Sequence, residues 1–433
     1  MKTGPTFGKF ILFPILACAY VEIISPLLIY IDAGPRLGDF WSDLQVQIIM
    51  APRLEHKIFW PAMAVISVIV VVINWSRITL APHIIALFMY LAFAGLSVLW
   101  AYKPEFAAIR FAQQAMIIIS IVLPVLLTAR TVDIFRGLFL CFALALILNL
   151  YFVFSQPPMV IENVRVSYPG YFVFKSMLGQ CAAIAFMLSL HEMLYPGWRR
   201  VQGIIVAVIA LYLVVVSDSM GSLTLAFFAP MLAGITIFVG KAVRVSPAFV
   251  LLPVPIVYTV LSKVVGNLIS RISWHLFGNY TLSGRTIIWD FANYMISQRR
   301  FLGWGYQSFW LVGQDAPSVV EAPGWVRNMP NAHNGYLDTM LDTGYFGIIL
   351  FVIFIFMTLH AIGRVIEHDA RRGWFLLTLA LFVIQINFIE STWMHGMDII
   401  WLLFLFVVAE AGRHWQPLPP SGSEPTRRGP SGA

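Results

Sequence analysis

Apolar runs of close to twenty residues recur along almost the whole chain, and this repetition constrains the fold more than any other feature. As a helix, a run of that length covers the ~30 Å hydrocarbon core of a bilayer. Within lipid every backbone N–H and C=O must be bonded inside the chain, so only helices or closed barrels cross. The runs are continuous rather than alternating with period two, which selects helices over an outer-membrane barrel. Hydrophobic residues make up 59% of the chain and charged residues only 11%, a balance foreign to soluble domains. The expectation is an all-α polytopic membrane protein.

About twelve spans are predicted, at 8–31, 58–74, 80–100, 106–128, 134–155, 173–194, 201–216, 223–239, 248–266, 334–360, 374–392 and 394–411. The first is too long, and too closely followed by others, for a cleaved signal and is read as an anchor. With Lys2 and Lys9 inside, the inner connections carry Arg77, Arg130 with Arg136, Arg199 with Arg200, Lys241 with Arg244, and Arg364 with Arg371 and Arg372. Each is basic, as the positive-inside rule requires, and both termini fall inside. Four regions follow: 1–266 with helices one to nine, 267–333 as a large outer loop, 334–411 with the last three helices, and 412–433 as a disordered Pro/Gly/Ser-rich tail. Lys263, within the ninth span, is read as snorkelling outward.

Composition also excludes some classes. Cys18, Cys141 and Cys181 lie in apolar runs without disulfide or metal spacing and are read as packing residues. The net charge of +7 is spread over loops rather than gathered on one face, so nucleic acid is not an expected partner.

The chemistry gathers on the outer side. Pro330-Asn331-Ala332-His333-Asn334-Gly335 sets a histidine where the long loop re-enters the membrane. Histidine is the side chain that exchanges a proton near neutral pH without a large perturbation. Asn334 is also a favoured helix N-cap, a purely structural role. Asp338 and Asp342 follow at helical spacing, more ionisable groups than capping requires. Arg285 opens an amphipathic segment, roughly 285–297, that is expected to lie along the membrane surface. Its guanidinium fork suits phosphate oxygens, although composition alone favours snorkelling to lipid headgroups. Arg165, Lys175, Asp218, Arg271, Glu390 and His395 fall on the same side. Gly303-Trp304-Gly305 lacks a preceding strand and a third glycine, so it reads as a tight turn rather than a phosphate loop. Trp304, Trp310 and Trp325 suit interface anchoring or stacking on sugar rings. No outer Asp-x-Asp pair offers a metal site for a nucleotide sugar, so no metal or cofactor is expected, and the substrate anion is read as a lipid-linked phosphate or diphosphate.

The ordered set Ser283-Gly284-Arg285-x-x-x-Trp289, Gly303-x-Gly305, Ala332-His333-Asn334-x-Tyr336-Leu337 and Gly344-Tyr345-Phe346-Gly347 resembles the O-antigen ligase and polysaccharide polymerase superfamily. Gly170-Tyr171-Phe172-Val173-Phe174-Lys175-Ser176-Met177-Leu178-Gly179 is similar to a motif of its exopolysaccharide polymerase branch, with Phe174 and Ser176 replacing the usual histidine and asparagine. The resemblance implies a GT-C-like glycosyltransferase of the bacterial inner membrane, working at the periplasmic face without metal or nucleotide. Its donor would be an undecaprenyl diphosphate-linked oligosaccharide; its acceptor would be another glycan in a polymerase, or lipid A–core in a ligase. A chain-length regulator is a further implied partner. Carried over, Arg285 matches the diphosphate-binding arginine, His333 the histidine near the acceptor and Arg165, more loosely, an upstream arginine. The expected catalytic set is therefore His333, Arg285 and Asp338, with Arg165, Lys175, Arg271, Asn334 and Asp218 binding substrate.

Two other classes compete. A transporter or flippase of lipid-linked sugars predicts internal repeats, broken helices and midplane charges, whereas the chain shows no repeat and its polar groups gather at one face. A non-catalytic scaffold leaves the His333 and arginine set unexplained.

Overall fold

The computed structural model describes residues 12–34, 43–75, 78, 80–130, 132–156, 158–161, 165–255, 257, 261, 274 and 284–415. The first helix, α1 (Leu12–Ala33), contains a π-helical turn at Tyr20–Ile24. It is followed by α2 (Asp43–Met50), α3 (Leu54–Ile73), α4 (Pro82–Leu96), α5 (Pro104–Leu127) and α6 (Ile134–Ser155). A small hairpin of β1 (Met159–Ile161) and β2 (Arg165–Ser167) precedes α7 (Lys175–Met193), α8 (Trp198–Val216), α9 (Met220–Val243) and α10 (Pro247–Leu251). The long loop before the last three helices contributes α11 (Arg285–Gln298), α12 (Pro317–Val320) and a 3₁₀ turn at Gly324–Asn328. The chain then closes with α13 (Gly335–His368), α14 (Ala370–Ile386) and α15 (Ile399–Arg413).

Eight of these segments are long and apolar enough to cross a bilayer, which makes the chain a multi-pass membrane protein. They coincide with eight of the expected spans. Three more expected spans are helices: α7 is less apolar, and α14 and α15, at 17 and 15 residues, are shorter. The ninth, 248–266, is described only at 248–255, 257 and 261, and Lys263 lies outside the described residues.

Burial sorts the helices into a core and a ring. All of α15 is buried, and α7 and α14 are buried over most of their length. Helices α3, α8 and α9 instead expose apolar stripes, such as Val65, Ile69 and Val72 or Phe227, Met231 and Phe238. Stripes at helical spacing are surfaces that lipid covers. The end of the bundle away from the long loop is tied by Arg136 and Arg199 on Glu192, and by Arg372 and Arg413 on Glu410.

Three expectations shift. The apolar face of α11 does not lie on the membrane surface: Ile288, Phe291, Ala292, Met295 and Ile296 form a separate core with Trp304, Phe309, Trp310, Val326, Leu337 and Leu341. A loop core supplies a closer-packed home for that face than headgroups do. The expected limits 374–392 and 394–411 leave room only for a tight turn between the last two spans, whereas α14 ends at Ile386 and α15 begins only at Ile399. Asn387 pins this connection, its Oδ1 accepting from Thr392 N and Trp393 N at 3.0 and 2.9 Å. The C-terminal region expected to be disordered from Gly412 instead begins in helix, since Arg413 closes α15 by bonding Ala129 O and Val132 O; residues from 416 onward lie outside the described residues.

Candidate active site at the loop–bundle junction

Glycines set the frame. Gly344 interrupts α13 with φ 63°, and a Cβ there would stand 2.3 Å from the Phe301 carbonyl oxygen. A Cβ on Gly303 would meet Leu341 O at 2.6 Å. The kink frees helix carbonyls and amides, and the loop takes them up. Trp304 N donates to Leu341 O at 2.7 Å, Gly305 N to Asp342 O at 2.9 Å, and Tyr345 N to Arg300 O at 2.8 Å. The Gly303–Gly305 and Gly344–Gly347 motifs therefore form one structural joint, with the Trp304 and Gly305 amides bonded to α13 carbonyls.

The histidine segment hangs from this joint. Ala332 N bonds the Asp338 carboxylate at 3.1 and 3.2 Å, and Trp310 Nε1 donates to the same group at 2.7 Å. Trp289 Nε1 donates to Ala332 O at 3.0 Å. Asn334 Oδ1 caps α13 by accepting from Tyr336 N and Leu337 N, while its own backbone N–H donates to Ser391 Oγ at 2.9 Å. Between these anchors His333 sits at φ 47°, a left-handed conformation uncommon for a side-chain-bearing residue. Such conformations persist where neighbouring contacts over-determine them, and they concentrate at functional sites.

His333 Nδ1 lies 3.3 Å from Glu390 Oε2, and Arg285 Nη2 lies 3.0 Å from Glu390 Oε1. All three side chains are about a quarter to a third exposed, open to a ligand yet partly dried. The spacing of Arg285 and Trp289 now has a reason: four residues apart, they share a face of α11. One reaches Glu390 and the other holds the histidine segment.

The structure thus joins Arg285 and His333, but through Glu390. Asp338 serves the backbone next to the histidine, and Asn334 serves the helix cap. Lys175 and Asp218 form a separate pair at 2.7 Å, between the start of α7 and the turn before α9. Arg165 lies on β2, and Arg271 lies outside the described residues. Trp304 and Trp310 are buried in the loop core, whereas Trp325 is exposed. Asp315, on the loop rim, is held below the usual carboxylate range by its hydrogen bond from Lys103. Among the described residues, no three His, Cys, Asp or Glu side chains converge as metal ligands.

Two further residues stand out to which sequence reasoning assigns no role. Glu390 is grouped with the others by sequence only through its membrane side. Arg110, inside the span beginning at Pro104, lies beside Gln113 and Gln114 in the wall of a cavity and donates to Gln307 O. An arginine within a span is a functional signal by default, and the sequence carries that signal plainly.

Residues 179–352 match the family model described as O-antigen ligase. This segment belongs to the O-antigen ligase superfamily. No curated protein matches the chain. The O-antigen ligase match contains Asp218, Arg285, His333, Asn334 and Asp338 and stops short of Arg110, Lys175 and Glu390. The carboxylate that joins the two catalytic candidates is therefore contributed from beyond the O-antigen ligase segment, by the α14–α15 connection.

Proposed function

We propose that the chain is a glycosyltransferase at the periplasmic face of the bacterial inner membrane, both termini cytoplasmic, extending a polysaccharide from an undecaprenyl diphosphate-linked donor. The Arg285–Glu390–His333 cluster at the end of a membrane bundle carries this reading. The acceptor hydroxyl attacks the anomeric carbon as the bond to the carrier diphosphate breaks. His333 takes the hydroxyl proton through Nε2, since Nδ1–H is directed at Glu390. Arg285 stabilises the charge developing on the departing diphosphate. Lys175 and Arg165 are assigned to the donor's anionic part, and Asp338 and Asn334 to positioning. A GT-C-like architecture with twelve spans and no metal is part of the same proposal.

The family description favours a second reading, transfer to lipid A–core. Membranes containing wild type, Arg285→Ala or His333→Ala, supplied with an undecaprenyl diphosphate-linked repeat, separate the two. A ladder of multiples made without core, and lost in both variants, is expected. Product only with core makes the protein a ligase; no covalent product in any arm sinks both readings and favours transport.

A further inference from the structure

A cavity of about 410 Å³ is lined by α1, α5, α7, Phe172, Gln307 and the connection that enters α15, the same connection that carries Glu390. Its size falls in the ~300–1,000 Å³ range of small-molecule sites. Four glutamines line it, Gln113, Gln114, Gln180 and Gln307, an unusual density of neutral amides inside an apolar bundle. Glu22 and Asp398 add two carboxyl groups, Arg110 one guanidinium, and Phe172 and Met397 apolar faces. Gln114 is 1% exposed, yet its Oε1 has no hydrogen-bond partner among the described residues, while the buried Glu22 meets the Cys181 thiol. A buried acceptor left unpaired is costly, which a bound donor would relieve.

We infer that this cavity binds a pyranose unit of the glycan substrate. The chemistry matches: amides and carboxyls both accept from and, through the amides, donate to ring hydroxyls, and apolar side chains cover the C–H face. A diphosphate fits poorly, because two carboxyls face one guanidinium that is already bonded to Gln307 O. The position also fits. The connection that carries Glu390 at one end presents His395 to Ile399 to the cavity at the other. One connection thus serves both the cavity and the Arg285–Glu390–His333 cluster. The inference rests on the glycosyltransferase reading for its substrate, but its binding test does not require turnover.

The test uses full-length protein in lipid nanodiscs and saturation-transfer NMR with methyl glycosides of common hexoses, 6-deoxyhexoses and N-acetylhexosamines. At least one glycoside should bind, and Gln114→Leu and Gln180→Leu should each weaken it by about tenfold or more. Both variants should retain the wild-type unfolding midpoint and wild-type binding of glycan-free undecaprenyl diphosphate. Displacement by undecaprenyl diphosphate-N-acetylglucosamine, but not by the bare carrier, assigns the sugar to the donor; persistence with both assigns it to the acceptor. No glycoside binding, or binding unchanged in both variants, overturns the inference. If glycosides bind as expected while Arg285→Ala leaves transfer intact, the catalytic reading fails and the sugar site stands.

Discussion

Glu390 holds His333 through one carboxylate oxygen, at 3.3 Å, and Arg285 through the other, at 3.0 Å. A single carboxylate therefore sets the histidine tautomer and the position of the arginine together. Replacing it with an amide changes both. In Glu390→Gln the amide nitrogen can donate to Nδ1, which moves the proton to Nε2 and removes the base. We expect kcat to fall about 10²-fold or more, with Glu390→Asp partly restoring it. Transfer assays on purified protein measure this; a rate near wild type would show that the bridge is not catalytic.

The joint at Gly344 should be intolerant of any side chain. Gly344→Ala meets backbone, not a movable side chain, and also imposes a left-handed φ on alanine. A loss of at least about 2 kcal/mol is expected. Gly324 is the control, since φ there is 51° but nothing lies within 4 Å of where a methyl group would stand. Gly324→Ala should cost about 1 kcal/mol. Unfolding midpoints in detergent compare them, and equal shifts would refute the backbone-clash argument.

The spans were readable because lipid enforces continuous apolar runs of fixed length, and eight of them reappear as bilayer-length helices. The junction of Arg285 with His333 was suggested by motif order alone. What joins them was not readable: Glu390 lies 57 residues from His333 and 105 from Arg285, and only the packing of the α14–α15 connection brings it there. Asp338 looked like a partner because one helical turn separates it from the histidine segment. Helix geometry instead aims its carboxylate back at Ala332 N and Trp310. Local periodicity reports which face a residue shares, whereas long-range hydrogen bonds decide what it does there.

Trp310 and Trp289 should behave as positioning residues. Trp310→Phe keeps an aromatic ring but removes one donor from a 6% exposed carboxylate. That should cost about 1–3 kcal/mol of stability. Trp289→Phe leaves Ala332 O without this donor and should lower kcat more than it raises the donor KM. Steady-state kinetics with unfolding curves separate the two; a pure KM effect for Trp289→Phe would place it on the substrate instead.

Lys175 and Asp218 pose the remaining question, because their 2.7 Å pair is only about a quarter exposed and stands apart from the Arg285–Glu390–His333 cluster. A donor-binding lysine must exchange Asp218 for phosphate. On that reading Lys175→Met weakens donor binding, while Asp218→Asn leaves it equal or stronger by freeing the cation. A structural pair behaves differently: removing either partner strands a charge, and both single variants lose stability together. The double variant should then recover part of that loss. Donor affinity and unfolding midpoint, measured across this four-protein cycle, give opposite patterns for the two roles. We expect the donor-binding pattern, because Asp218 itself sits at φ 52°, a strained backbone that a purely structural ion pair does not need.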